Sequence, residues 1–141
     1  NFYLHAKFQE YADTFKSISK RIHLISFGEV AVNEMLMRCR MLITDYSSVC
    51  WDILYQDKPS LFYQFDIEKY NEAHGSYIDM ETELFGDRAA TQEQLLDYLE
   101  ETVQNDFRLK PEYEKMRGEY LQFKDHEHSR HICEEIKKRF H

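Results

Sequence analysis

The chain has 141 residues, with 26 acidic against 18 basic side chains and a formal net charge of −8. A nucleic-acid-binding protein usually carries a basic excess, so this balance argues against nucleic acid as a partner. A hydrophobic content of 43%, with only 4 glycines and 2 prolines, is typical of a globular domain with a substantial core. The sequence therefore predicts a single domain over residues 1–141.

The three cysteines, Cys39, Cys50 and Cys133, are widely spaced and form no Cys-x-x-Cys motif. An odd number of dispersed cysteines indicates a reduced, cytoplasmic chain rather than one held together by disulfides. No stretch is long and apolar enough to predict a transmembrane helix. Because the sequence opens on Asn1 inside a predicted strand, we expect it to be part of a longer protein.

Strands and helices alternate in the first half of the sequence. Short apolar runs predict the strands, and apolar residues at helical spacing predict the helices between them. The predicted strands are 1–4, 22–26, 41–44 and 60–65, and the predicted helices are 8–18, 30–38 and 47–56. This order predicts an α/β fold, a Rossmann-like parallel sheet with helices on both faces. In such folds ligands bind beyond the carboxyl ends of the strands.

The second half of the sequence predicts a long loop over 66–85 and then a helical tail. Thr91 opens the first helix of this tail with a Thr-x-x-Gln capping box, and Pro111 suits the first turn of the next. The last helix is predicted over 126–140. Two apolar stripes should face the core: Leu95, Leu96, Leu99 and Val103 in the first of these helices, and Ile132, Cys133, Ile136 and Phe140 in the last.

The segment Thr44-Asp45-Tyr46-Ser47-Ser48 joins the third strand to the following helix. It predicts hydroxyls and backbone amides at a helix N-terminus, an arrangement that suits a phosphate. In a helix beginning at Ser47, Ser48 and Asp52 would share one face, and Asp52 could accept hydrogen bonds from a ribose. The alternative is structural: Asp45 or Ser47 caps the helix, and Asp52 is a solvated helix residue.

Other polar residues follow the first two predicted strands. His5 could donate to a phosphate, although a single histidine is more often structural. A turn formed by residues 26–29 ends the second strand.

His126, His128 and His131 form a His-x-His-x-x-His pattern. A metal site is one interpretation of this pattern, and a solvated helix start is the simpler one. The sequence contains no complete catalytic motif.

The sequence resembles the CDP-glycerol glycerophosphotransferases, which are the teichoic acid polymerases and primases of Gram-positive bacteria. The resemblance is densest in Leu42–Val49, where Thr-Asp-Tyr-Ser-Ser is specific to this pattern. Its other matching positions are Val32–Leu36, Asp52, Lys58-Pro59, Phe62-Tyr63, Asp66 and Tyr70, and more weakly Asp125, Ser129 and Arg130. Four positions depart from the family pattern: Ala6 (Pro in the family), Arg40 (Asp), His74–Tyr77 (Arg-Gly-aromatic-Tyr) and His126 (Gly).

The resemblance implies one half of a GT-B fold, the C-terminal domain that binds the nucleotide donor. By similarity, Ser47, Ser48 and His5 would contact the donor diphosphate. Asp45 would belong to the same site, and Asp52 would lie near the ribose. The turn containing Ser26 and Glu29 would lie near the base. The resemblance assigns the general base to an N-terminal domain outside this chain, so the chain alone is expected to be inactive. It implies no metal or other cofactor.

The function implied is transfer of glycerol phosphate from CDP-glycerol to a polyol-phosphate or glycan acceptor in teichoic acid synthesis. The implied partners are the nucleotide-activated donor, a polymer or lipid-linked acceptor and the protein's own N-terminal domain. The implied location is the cytoplasm, with peripheral attachment of the full-length protein to the inner face of the cell membrane. Two alternatives remain open. One is a GT-B glycosyltransferase that uses a UDP- or GDP-sugar for capsular polysaccharide, and the other is a non-catalytic Rossmann-like interaction module.

Overall fold

The computed structural model describes residues 1–15 and 19–140. The chain forms two compact units, residues Asn1–Cys39 and a second unit that begins at Arg40, and each is described by itself. All strand pairs found in the described residues are parallel, which confirms the predicted α/β class. None of the helices in these residues combines the length and the apolarity needed to cross a membrane.

The first unit contains a two-stranded parallel sheet. Its elements are β1 (Phe2–Tyr3), a 3-10 helix (Ala6–Tyr11), α1 (Ala12–Phe15), β2 (Leu24–Ile25) and α2 (Val32–Arg38). Phe2 pairs with Leu24 and Tyr3 with Ile25, so both predicted strands are confirmed, although they are shorter. The segment predicted as one helix over 8–18 is a 3-10 helix followed by a single α-helical turn, and residues 16–18 lie outside the described part.

The second unit contains a three-stranded parallel sheet in the order β3-β4-β5. Its elements are β3 (Leu42–Thr44), α3 (Cys50–Tyr55), β4 (Ser60–Tyr63), α4 (Ile67–Ala73), β5 (Asp87–Ala89), α5 (Gln92–Gln104), α6 (Pro111–Tyr120) and α7 (His128–Phe140). The prediction of an irregular loop over 66–85 is wrong where α4 lies, and β5 was not predicted.

The central strand β4 is buried on both faces. Leu61 and Phe62 are consecutive, and they expose 0% and 2% of their surface. Consecutive strand residues point to opposite faces of a sheet, so both faces are covered at this strand. Phe62 belongs to a core cluster that also contains Cys50, Leu54, Leu84, Phe85 and Leu109. The sheet therefore gives the segments at the carboxyl ends of its strands a rigid base.

The predicted start of α5 is confirmed in detail. Thr91 Oγ1 accepts a hydrogen bond from the Gln94 amide at 3.2 Å, and Gln94 Oε1 accepts one from the Thr91 amide at 3.3 Å. The inward orientation predicted for the apolar stripes of α5 and α7 is wrong for the residues that the structure leaves exposed: Leu96 and Val103 in α5, and Ile132, Cys133, Ile136 and Phe140 in α7.

A polar cluster ties β5 to the helical tail. Asp87 accepts hydrogen bonds from Lys110 Nζ and from the Tyr113 hydroxyl, both at 2.9 Å, and Glu101 lies 3.0 Å from Lys110. Burial alone would lower the pKa of Lys110, but the hydrogen bonds to these two carboxylates outweigh it and raise that pKa. Burial and the Asp87 charge raise the pKa of Tyr113, so its hydroxyl stays a neutral donor.

Candidate functional site

The segment between β3 and α3, residues 45–49, is called the β3–α3 loop below. It forms a tight turn in which the Cys50 amide donates to Ser47 O at 3.3 Å and the Trp51 amide to Ser48 O at 3.1 Å. The helix therefore begins at Cys50, three residues later than predicted. Its N-cap is Val49, which makes no side-chain cap. The structural alternative is therefore wrong in its capping residue, whereas Asp52 is an exposed helix residue as that alternative predicted.

The β3–α3 loop presents free hydrogen-bond donors. Among the described residues, the structure records no acceptor for the amides of Ser47, Ser48 and Val49, and no partner for the two serine hydroxyls. Ser48 is exposed and Ser47 half-buried. Consecutive free amides beside hydroxyls can bind an anion without any basic side chain. Chemically, the loop suits phosphate oxygens.

The two aspartates predicted near this loop have different surroundings. Asp45 Oδ1 accepts the Tyr46 amide at 2.6 Å, which fixes the first bend of the loop. Asp52 is exposed in the first turn of α3. The other side of the helix is buried: Cys50, Ile53 and Leu54 expose 7%, 0% and 1%. Burial raises the pKa of the Cys50 thiol to about 11, so this cysteine is a core residue and not a nucleophile.

Three residues outside the loop, Gln64, Asp66 and Tyr70, hold it in place, and none of them was a predicted site residue. Gln64, directly after β4, is fully buried and donates from Nε2 to Asp45 O at 3.0 Å. The Tyr46 hydroxyl donates to Asp66 Oδ1 at 2.8 Å, and the Tyr46 ring stacks on Tyr70 with centroids 3.6 Å apart and planes 6° apart. The available signal was a polar Gln64 ending an apolar strand, with Asp66 and Tyr70 as matching positions of the family pattern.

The remaining predicted site residues lie in the first unit. His5 follows β1, and the turn of residues 26–29 follows β2, so both lie at the carboxyl edge of the same small sheet. His5 Nδ1 accepts the Lys7 amide at 3.2 Å, which leaves Nε2 of the neutral ring to carry the proton and donate it. Glu29 Oε2 accepts the Ser26 amide at 3.1 Å, while the Glu29 amide donates back to Ser26 O. The structure thus groups His5 with this turn, and Asp45 with Ser47 and Ser48, each group within its own unit.

The three histidines near α7 contact other side chains, and His126 and His128 both contact Tyr55. His131 stacks on Phe123 with centroids 4.0 Å apart and lies 2.7 Å from Asp125, whose pKa its hydrogen bond lowers. His128 Nε2 lies 3.1 Å from the Tyr55 hydroxyl. In the described part of the chain, no three metal-ligating side chains come together. The contacts of His128 and His131, at the start of α7, are with neighbouring side chains.

The structure shows the contacts or the backbone conformation of three residues that depart from the family pattern. Arg40 donates to Asp106 Oδ1 at 2.7 Å and lies over the Phe107 ring at 4.2 Å, and this hydrogen bond lowers the pKa of Asp106. His74 stacks on Tyr70 with centroids 5.2 Å apart. His126 has a φ of 60°, in the left-handed region where glycine is favoured, and glycine is the residue of the family pattern there.

A parallel α/β fold with free amides and hydroxyls after its third strand is the architecture of proteins that bind phosphorylated ligands at strand ends. Comparison with known proteins gives the family. Residues 2–138 match the family described as CDP-Glycerol:Poly(glycerophosphate) glycerophosphotransferase. The chain belongs to this family, as the resemblance predicted. The family's name specifies CDP-glycerol as donor and poly(glycerophosphate) as acceptor.

Bacterial teichoic acid proteins are among its relatives. The chain is 33% identical over 68% of its length to a teichoic acid poly(ribitol-phosphate) polymerase of Bacillus spizizenii, matching 14% of that protein. It is 31% identical over 76% of its length to a teichoic acid glycerol-phosphate transferase of Staphylococcus aureus, matching 28% of it. It is 35% identical over 55% of its length to a teichoic acid poly(glycerol phosphate) polymerase of Bacillus subtilis, matching 11% of it. The chain thus spans less than a third of each relative.

Proposed function

We propose that this chain is the donor-binding domain of a GT-B transferase that moves glycerol phosphate from CDP-glycerol to a polyol-phosphate or glycan acceptor. The observation that carries the proposal is the β3–α3 loop, whose free donors lie within the matched residues 2–138, where the sequence most densely resembles the family pattern. Ser47 and Ser48 would bind the donor diphosphate, with Asp45 shaping the loop. Asp52 would lie near the ribose.

In the proposed reaction, an acceptor hydroxyl attacks the phosphorus that carries glycerol. A new P–O bond forms to the acceptor, the P–O bond to the cytidine phosphate breaks, and CMP leaves with the bonding electrons. The acceptor proton goes to a general base that we assign to a domain outside this chain. Amide and hydroxyl donors on the leaving phosphate stabilise the charge that develops there, which lowers the barrier most if they are fixed beforehand.

For the first unit we propose separate donor contacts, made by His5 and by the turn containing Ser26 and Glu29. The proton on His5 Nε2 would serve a phosphate oxygen, and the turn would lie near the cytosine. The Ser26 amide already donates to the Glu29 carboxylate and the Glu29 amide to the Ser26 carbonyl, so these hydrogen bonds order the turn before any ligand binds. The proposed setting is the cytoplasmic side of the cell membrane.

A nucleotide screen tests the donor. We expect CDP and CDP-glycerol to raise the melting temperature of the chain, since a ligand at about 100 times its dissociation constant stabilises the native state by about 2.7 kcal/mol. UDP and GDP at the same concentration should give a much smaller rise. A rise with UDP or GDP and none with CDP would instead favour a glycosyltransferase with a sugar-nucleotide donor, and no rise with any nucleotide would favour the interaction module.

A further inference from the structure

A fully buried side chain holds the β3–α3 loop in place. Gln64 exposes 0% and donates from Nε2 to the Asp45 carbonyl. Its Oε1 atom is buried and has no hydrogen-bond partner among the described residues. A buried side-chain amide whose oxygen accepts no hydrogen bond costs stability, and an apolar side chain would avoid that cost. Gln64 Nε2 also lies 3.6 Å from Met80 Sδ, and its contact with the candidate site is the hydrogen bond to the Asp45 backbone.

Tyr46, a residue of the same loop, fixes it through two contacts with residues that follow β4. Its hydroxyl donates to Asp66, just before α4, and its ring lies flat against Tyr70 within α4. Burial, the hydrogen bond to Asp66 and the Asp66 charge raise the pKa of Tyr46, so this hydroxyl stays protonated and continues to donate. The loop residue just before Ser47 is therefore fixed to a neighbouring helix by two kinds of contact.

We propose that Tyr46 and Gln64 are positioning residues that fix the β3–α3 loop in its diphosphate-binding conformation. This inference rests on the proposed function. Neither side chain touches the ligand: both act through the backbone that carries the Ser47 and Ser48 donors. A loop that is already ordered loses less conformational entropy when it binds a ligand, and this smaller loss increases the affinity.

The substitution Tyr46→Phe separates the two contacts of Tyr46, because it removes the hydroxyl and keeps the ring that stacks on Tyr70. The chain offers a matched control in Tyr113→Phe. Tyr113 also donates to an aspartate, Asp87, at 2.9 Å, and it lies in α6 of the same unit. Both variants lose one Tyr–Asp hydrogen bond, but only the first loses one that holds the loop.

The experiment titrates the native chain and both variants with CDP and with cytidine, and measures backbone amide order parameters by nitrogen-15 relaxation. For Tyr46→Phe we expect CDP to bind about tenfold more weakly, as for a lost hydrogen bond to a charged group, with cytidine affinity unchanged. Loop order parameters should fall from about 0.85 to below about 0.6. Tyr113→Phe should change neither the ratio of CDP to cytidine affinity nor the loop.

The outcomes separate the two proposals. If the native chain binds CDP and Ser48→Ala weakens it, but Tyr46→Phe and Gln64→Met bind CDP as the native chain does with a rigid loop, the positioning role is overturned while the donor site stands. If Tyr46→Phe weakens CDP and cytidine equally, the residue is merely structural, and the positioning role is again overturned. If the native chain does not bind CDP, both proposals fall.

Discussion

Gly86→Ala should destabilise the chain by about 3 kcal/mol, at the upper end of the usual cost of overpacking a core. Gly86 is buried directly before β5, where the chain passes close to β4. A methyl group at this position would lie 2.2 Å from the Ser60 carbonyl oxygen and 2.9 Å from a Phe62 ring carbon. The carbonyl belongs to a strand paired on both sides, so it cannot move aside without breaking the sheet.

The measurement is thermal unfolding, in which we expect the midpoint of Gly86→Ala to fall by about 10 °C. Gly118→Ala is the matched control, because Gly118 lies within α6 and a methyl group there meets nothing within 4 Å. Alanine is the better helix former, so this control should stabilise by about 0.5–1 kcal/mol. A Gly86→Ala variant at least as stable as the native chain would contradict the packing of β5 against β4.

The double substitution Ser47→Ala and Ser48→Ala should weaken CDP binding about 100-fold. Each hydroxyl would donate to a charged phosphate, and such hydrogen bonds contribute about 1.5–3 kcal/mol each. At the lower end of this range, the two together account for about two factors of ten in affinity, at about 1.4 kcal/mol per factor. Calorimetric titration of the native chain and the variant with CDP measures this loss directly.

The double variant should fold normally, because neither hydroxyl has a partner among the described residues and the N-cap of α3 is Val49. Its unfolding midpoint should therefore match that of the native chain. Ser19→Ala, at an exposed serine of the first unit, serves as the control and should leave CDP affinity unchanged. Equal CDP affinity of the native chain and the double variant would remove the serines from the proposed site.

The sequence was sufficient for the elements whose residues carry their own signal. An apolar run ending in Asp45 predicts β3, and Thr91 with Gln94 predicts the start of α5 because both partners of the capping box lie in one turn. The start of α3 was misjudged, because Ser47 and Ser48 are typical capping residues and the tight turn that they form instead depends on backbone geometry.

The elements that were missed depend on tertiary contacts. Strand β5 reads Asp87-Arg88-Ala89, which has no apolar alternation, and it forms by pairing with β4 while Lys110 and Tyr113 bind Asp87. Helix α4 is mostly polar, and its Tyr70 gains a partner only when the chain brings Tyr46 against it. Local propensity cannot supply either contact.

The candidate site also contains residues that the sequence predicts and residues whose contacts appear only in the fold. The sequence predicts Ser47 and Ser48 as phosphate ligands because a strand that ends in Asp-x-Ser-Ser carries its polar groups in consecutive residues, and this role stays a prediction. The supports, Gln64 and Asp66, come from the next strand and its end, and their distances to Asp45 and Tyr46 exist only in the fold. The stripe of α7 shows the opposite error: a regular apolar pattern predicted burial, yet Ile132 and Ile136 remain exposed.

We propose that a cytidine diphosphate binds at the β3–α3 loop. Titration of the nitrogen-15-labelled chain with CDP, followed through its amide resonances, tests this binding. We expect the largest shifts at Ser47, Ser48 and Val49, whose amides are free to donate. Saturating CDP that leaves these three resonances unmoved, or that shifts only residues away from the loop, would contradict this proposal.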